Sequence, residues 1–396
     1  MLRPDSWGFT ILLGALTAMT ALAVDMSLPS LPTLAQVFSA TPDRVQLTLS
    51  LFMVGYAGGQ LVCGPLSDRF GRRRMLLVGL TVYTLAGLAC AASPRLDILV
   101  VARLIQGFGA CVGPILGRAV VRDRMTGARA AQTLSYITIT MSLGPMVAPL
   151  IGGFLLSRFG WQAIFLTLGT IGLALGIATF LGFAESLREP DPHALKPARL
   201  MQNAASFFTS RRTIGFAVVN AFTFSGLFAF LSGLPYVLIE IYGVPADVFG
   251  FYFALNAMGL AAGAFANGRL VHRFRGETVM RGAFVLQLAA AAGLLLVGWT
   301  GAGGAIGIML PIMTYMIALA MILPNGTAAA MEPLPHMAGM AASLMGAIQM
   351  GSGSLSGLIV AALYSGTPMA MAGAIAVAAI GTVLSYLLLV RGRGAG

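Results

Sequence analysis

Gly64-Pro65-Leu66-Ser67-Asp68-Arg69-Phe70-Gly71-Arg72-Arg73-Arg74 stands between two long apolar runs, one ending near residue 63 and the next beginning near 74. Glycine lets a chain reverse sharply and lets neighbouring helices approach. Asp68 can accept charge-assisted hydrogen bonds from the arginines or sit at a helix N-terminus. A basic loop that only orients a chain in a membrane accounts for the arginines. It does not account for Asp68 or the two glycines. The string therefore reads as a tight turn on the cytoplasmic side, between the second and third of a series of spanning helices.

Working outward, the chain is apolar throughout. Hydrophobic residues make up 58% of its 396 residues and charged residues 9%. A soluble domain carries about 25% charged residues, so lipid is the solvent this composition fits. A spanning helix needs roughly 20 apolar residues. Twelve such runs occur, at about 7–28, 45–63, 74–93, 96–118, 131–156 and 161–183, then 213–238, 248–270, 279–299, 303–324, 337–363 and 368–390. No strand alternation persists, and the runs are too long for barrel strands. The fold class expected is an all-α polytopic membrane protein. Residues 1–183 form one six-helix bundle, 184–212 a cytoplasmic linker and 213–396 a second bundle. The linker holds Glu185, Arg188, Glu189, Pro190, Asp191, Pro192, Lys196, Pro197 and Arg199, a density of proline and charge that marks a connection.

The net charge of +11 does not point to nucleic acid, because the basic residues sit in short clusters between apolar runs. With the N-terminus in the cytoplasm, 20 of the 24 Lys and Arg fall on that side, from Arg3 to Arg393. Only Arg44, Arg95 and Arg158 fall opposite, and Arg103 lies within a helix. The positive-inside rule then puts both termini in the cytoplasm. Cys63, Cys90 and Cys111 read as small buried hydrophobes, and His193, His272 and His336 build no metal site with them. No cofactor is expected. Arg3 and Ala21-Leu22-Ala23 imitate a signal peptide, but the run from Trp7 to Leu28 is long enough to span and carries Asp25.

Three more strings carry chemistry. Arg103-Leu-Ile-Gln106-Gly107-Phe-Gly109-Ala110 puts a guanidinium inside the fourth run, where it faces a cavity or an acid, or snorkels to an interface. Gly144-Pro145-Met-Val-Ala148-Pro149-Leu-Ile-Gly152-Gly153 in the fifth run combines close-packing glycines with helix-bending prolines; a generic packing seam is the plainer reading. Asp25-Met-Ser-Leu-Pro29-Ser-Leu-Pro32 holds the one acid well inside a span, unless it already lies beyond the hydrocarbon; Glu240, Glu277 and Glu332 fall near helix ends or in a loop. Burial disfavours a charged carboxyl and a nearby cation favours it, so such a group can exchange protons as its surroundings change. Gly64-Pro-Leu-Ser-Asp-Arg and Gly268-Arg-Leu-Val-His-Arg, about 204 residues apart, hint at two related halves.

The first string closely resembles motif A of the major facilitator superfamily, the second its motif B, and the third its motif C of antiporters, with Ala148 where glycine is usual. His336-Met-Ala-Gly339 through Gln349, with Asp25-x-x-x-Pro29-x-x-Pro32 and Arg118-Ala-Val-Val-Arg122-Asp123, is similar to the Bcr/CflA drug-efflux subfamily. That resemblance implies a major facilitator fold of twelve helices in two halves around a central substrate, with proton exchange driving efflux. It implies proton coupling by Asp25 and Arg103. It implies a cytoplasmic latch of Gly64, Asp68, Arg69, Gly71, Arg72 and Asp123, and a packing seam of Gly144, Pro145, Ala148, Pro149, Gly152 and Gly153. Tyr136, Asn220, Asn256 and Gln349 are cavity candidates from type and depth alone.

The expectation is a drug:proton antiporter of the bacterial inner membrane, a monomer whose partners are lipid, protons and a drug-like small molecule. A metabolite exporter or importer on the same fold is the nearest alternative. A membrane enzyme would need a catalytic constellation, and none is legible. A non-transporting receptor would carry no proton-linked flux.

Overall fold

The computed structural model describes residues 6–187, 189–192, 194–334 and 337–391. The readings at Arg3, Arg188, His193, His336 and Arg393 lie outside them. Every regular element among the described residues is helical. In lipid each backbone N–H must be satisfied within the protein, and a helix does this inside its own segment. Twelve helices are long and apolar enough to cross a membrane.

The first span is α1 (Trp7–Asp25) followed by α2 (Leu31–Val37). Then come α3 (Pro42–Phe70), α4 (Arg72–Ala91), the pair α5 (Leu96–Ala110) and α6 (Val112–Arg124), α7 (Gly127–Phe159) and α8 (Trp161–Gly182). The polar connection, a linker by its proline and charge, contains a helix, α9 (Pro197–Thr209). The second half is α10 (Arg211–Pro235), α11 (Ala246–Leu270), α12 (Gly276–Thr300), α13 (Gly304–Met331), α14 (Ala338–Ala362) and α15 (Met369–Ser385). Wide π-type turns prolong α10 to Ile241 and α15 to Arg391.

Several spans outrun the apolar stretches. Helix α3 continues through Gly64–Phe70, so most of the Gly64–Arg74 string is helical and the turn is the single residue Gly71. The first span continues twelve residues beyond Asp25, to Val37, which places Asp25 in its interior.

Proline decides where the first and fourth spans break. Pro29 has no N–H for the Asp25 carbonyl four residues back, and its ring crowds that oxygen. Helix α1 accordingly ends at Asp25, and a short 3-10 turn at Leu28–Ser30 leads into α2. Pro114 likewise cannot serve the Ala110 carbonyl. The α5–α6 break falls at Cys111, and the freed Ala110 oxygen accepts the Thr20 hydroxyl at 3.2 Å.

Glycine seams hold each half together. A Cβ on Gly55 of α3 would lie 2.0 Å from the Leu104 carbonyl, and one on Gly107 of α5 would lie 2.0 Å from the Phe52 carbonyl. The second half repeats the seam: a Cβ on Gly259 or Gly263 of α11 would press on the carbonyl of Met313 or Ile317 in α13, at 2.7 and 2.4 Å. Gly55 and Gly59 precede Gly259 and Gly263 by 204 residues, the spacing of the sequence repeat. Small residues permit this approach where lipid supplies no hydrophobic drive between helices.

The halves meet along α3 with α14 and along α7 with α11. Gln46 donates to the Ser232 hydroxyl at 2.6 Å. A Cβ on Gly153 of α7 would lie 2.2 Å from the Ala246 carbonyl at the start of α11. These contacts sit toward the Asp25 end of the bundle. At the opposite end lie cavities of about 650 and 590 Å³.

Candidate functional site

Arg103 is 1% exposed and 5% of Asp25 is exposed. The arginine is held entirely within the first half. Its Nε donates to the Thr48 carbonyl at 3.2 Å, Nη1 to Gln106 Oε1 at 2.9 Å and Nη2 to the Ser27 hydroxyl at 3.4 Å. Its guanidinium stands 4.3 Å from the Phe52 ring centre and 5.6 Å from that of Phe165. Aromatic faces and carbonyl oxygens stabilise a desolvated guanidinium. No carboxylate pairs with it among the described residues. The structure thus brings Arg103 to Ser27, two residues past Asp25, and not to the Asp25 carboxylate itself. Snorkelling does not apply, because the charge is enclosed. Asp25 is the one carboxylate among the buried described residues, and it carries no ion pair there. Among the described residues Asp25, Arg72 and Arg103 are the buried charged side chains.

The α7 seam lies directly against Asp25's neighbour. A Cβ on Gly152 would lie 2.2 Å from the Met26 carbonyl, and one on Gly144 would touch Ala21 at 3.4 Å. Ala148 is fully buried in the same face, so its one methyl is accommodated. Pro145 and Pro149 lie within the continuous helix α7. The seam therefore packs α7 on α1 through Gly144 and Gly152, and on the other half through Gly153.

At the far end of α3, Arg72 gathers the latch. Its Nη1 is 2.6 Å from Asp68 Oδ1 and its Nε 3.1 Å from Asp123 Oδ2, and it also donates to the Ser67 hydroxyl. Gly71 has φ +96°, a conformation L side chains rarely adopt. Arg69 does not join the cluster; it is exposed and lies over the Phe70 ring. Gly64 has open space where a Cβ would stand, so packing does not require glycine there.

Glu185, which the sequence marks only as part of the linker, belongs to this cluster. Its Oε1 accepts from the Arg72 backbone N–H at 2.9 Å and its Oε2 from that of Arg73 at 3.1 Å. The carboxylate thereby caps α4, whose own N-cap, Gly71, has no side chain to do so. Its backbone carbonyl accepts from the Arg124 guanidinium. Ser186 donates to Asp123 at 3.4 Å, and the Asp191 N–H to the Asp68 carbonyl at 3.0 Å. The connection between the halves is thus strapped to the latch. A lone glutamate 113 residues from its partner leaves no local signal in the sequence.

The four cavity candidates separate. Tyr136 stacks at a tilt on Trp7, 5.2 Å between ring centres, and lines the 650 Å³ cavity. Asn220 is fully buried and donates to the Leu323 carbonyl at 3.2 Å and the Thr327 hydroxyl at 3.0 Å. Asn256 donates to the Tyr252 carbonyl at 3.1 Å and toward Met309 Sδ at 3.4 Å. Both NH2 groups are used between α13 and its neighbours, while the Oδ1 atoms of Asn220 and Asn256 are buried with no hydrogen-bond partner among the described residues. Gln349 is half-buried on α14, and its carbonyl accepts the Ser352 hydroxyl at 2.9 Å.

The Major Facilitator Superfamily model matches residues 13–357. The chain belongs to the Major Facilitator Superfamily. The bicyclomycin resistance protein homolog of Haemophilus influenzae is 32% identical, with 96% of each chain covered. An uncharacterized MFS-type transporter of Bacillus subtilis, YdgK, is 36% identical over 87% of this chain and 86% of its own. Multidrug resistance protein D of Escherichia coli is 27% identical, with 90% of each covered. These relatives put the chain among the Bcr/CflA-type members of the superfamily. The fold matches that of the E. coli xylose transporter XylE in a partially occluded inward open conformation, with TM-score 0.73, 16% identity and 98% of each chain covered. A bacterial homolog of the lysosomal transporter Spinster, inward-facing and occupied, gives TM-score 0.73 at 15% identity, with 100% of each covered. This superfamily member is a multi-pass membrane transporter and not an enzyme.

Proposed function

We propose that this chain exports amphipathic, drug-like small molecules from the bacterial cytoplasm or inner leaflet in exchange for protons. It does so as a monomer in the inner membrane with both termini inside. The printed names of two relatives, a bicyclomycin resistance protein homolog and a multidrug resistance protein, support efflux. The observation that carries proton exchange is Asp25. It is the sole carboxylate among the buried described residues, set at the α1 break, beside the α7 seam and two residues from the Ser27 that Arg103 touches.

In this reading Asp25 exchanges a proton, and Arg103 tunes it through Ser27 and the α1–α2 turn. The Gln46–Ser232 and Gly153–Ala246 contacts close the periplasmic side, and the two cavities open to the cytoplasm. With Asp25 deprotonated the site takes substrate from inside. The halves then rock about the centre. A proton from the periplasm displaces the substrate, and its release inside resets the cycle.

The test is export from cells carrying the transporter against a compound panel, with and without a proton uncoupler. Uncoupler-sensitive export of several drugs is expected. Export confined to one metabolite, or unaffected by the uncoupler, overturns the proposal.

A further inference from the structure

The 590 Å³ cavity lies between α3 and α6 of one half and α14 of the other. Its lining carries more guanidinium than carboxylate. Three arginines face it: Arg72, Arg118 and Arg122. Arg72 is fully committed to Asp68, Asp123 and Ser67. Arg118 and Arg122, one helical turn apart on α6, pair with no carboxylate among the described residues, and both are exposed. Two carboxylates also line the space. Asp68 is held by Arg72, and Asp191 is already engaged.

The rest of the lining suits an amphipathic molecule. Met340 of the second half, half-buried, gives the lining a flexible apolar side chain beside Ala342, and Ser343 adds a hydroxyl. The first turn of α14, with no side-chain cap at Met337, turns the positive end of that helix to the same rim. The floor is closed where Gln60 meets Gly346; a Cβ on that glycine would lie 2.6 Å from Gln60 Oε1. A basic cluster that served only to orient the chain would need neither a walled cavity nor residues from both halves.

We infer that this cavity is a binding subsite for the anionic group of an amphiphile, held by Arg118 and Arg122 with its apolar body on Met340 and Ala342. A carboxylate, sulfonate or phosphate meets the planar donors of two guanidiniums. A lipophilic cation finds no free acid among the described lining residues. The subsite rests on the proposed cytoplasm-facing efflux reading and deepens it, by adding anionic amphiphiles to the substrates recognised at the inner mouth. The same chemistry fits an anionic lipid headgroup.

Binding of carboxyfluorescein, an anion, and of a rhodamine cation of similar ring size is to be measured by fluorescence polarisation. The purified transporter is held in phosphatidylcholine nanodiscs with no proton gradient. The anion should bind, and Arg118→Gln with Arg122→Gln should weaken it about tenfold or more, the scale of one or two charge-assisted hydrogen bonds. The double lysine variant keeps the topogenic charge but not the planar fork, and should bind more weakly than wild type and more tightly than the double glutamine variant, which separates loss of the site from misfolding. Because binding is read at equilibrium with no proton gradient and no net transport, failure of the coupling reading, which the uncoupler assay measures, and failure of the subsite are distinct results. Adding phosphatidylglycerol assigns the occupant: displacement of carboxyfluorescein identifies a lipid headgroup as the anion, and no displacement identifies a solute. Equal affinity in wild type and the double glutamine variant, no anion binding at all, or tighter binding of the cation overturns the inference.

Discussion

Ser50 of α3 and Ser354 of α14 each donate a hydroxyl to the other's backbone carbonyl, at 3.2 and 3.0 Å. The pair is buried and joins the two halves. A hydrogen bond contributes about 1 kcal/mol net. Replacing both serines with alanine should therefore favour separation of the halves at this end by about 2 kcal/mol, roughly thirtyfold in the conformational equilibrium. Spin labels at the α3 and α14 ends would report the change as a longer-distance population. An unchanged distance distribution would show that the pair does not contribute to closure.

Arg72 bridges two carboxylates with different nitrogens, Nη1 to Asp68 and Nε to Asp123. A lysine ammonium is a single point and does not reproduce that fork. Arg72→Lys should lose one of the two bonds, about 2 kcal/mol for a bond between charged groups, and slow transport. Asp68→Asn should also slow transport while substrate affinity in purified protein stays near wild type. Affinity falling in step with transport would place Asp68 in the binding site instead.

Gly71 and Glu185 are coupled by geometry. A Cβ on Gly71 would lie 2.5 Å from Glu185 Oε2, in a backbone region that costs a side chain about 1–3 kcal/mol. Gly71→Ala should lower the melting temperature markedly, and Glu185→Ala by less, near the ~1 kcal/mol of a lost cap. The double variant should be less damaged than the sum, because the collision is gone. Strict additivity of the melting shifts would contradict the contact.

Asp25→Asn keeps the shape of the side chain and removes its titration. It should abolish proton release on substrate addition and uphill efflux of a neutral substrate, while downhill movement survives. Asp25→Glu should retain partial activity with a shifted pH optimum. Proteoliposomes driven by a pH difference decide this: if Asp25→Asn still concentrates a neutral substrate, the proton site lies elsewhere.

Reporter fusions after Arg74, Arg129, Lys196 and Arg275 should all report cytoplasm, as the distribution of basic residues requires. A periplasmic signal from any of them would break the proposed orientation.

Chain sequence alone determined the class of fold, because lipid imposes a strong local rule. The backbone must be satisfied within the protein, which an apolar helix does by itself, so length and hydropathy suffice to find the spans. The 204-residue repeat was legible in Gly64-Pro-Leu-Ser-Asp-Arg and Gly268-Arg-Leu-Val-His-Arg, and the structure adds the Gly55/Gly59 and Gly259/Gly263 seams at the same spacing. Asp25 and Arg103 stood out because charge is scarce inside the spans, and Arg72 through the resemblance to motif A. Tertiary structure decided what those charges touch. Arg103 meets Thr48, 55 residues away, and two phenylalanine faces, with no carboxylate among the described residues. Glu185 caps α4 across 113 residues, and Asn220 spends its amide on α13, 103 residues on. Such contacts depend on how helices rotate and cross, which packing sets and a one-dimensional pattern does not record.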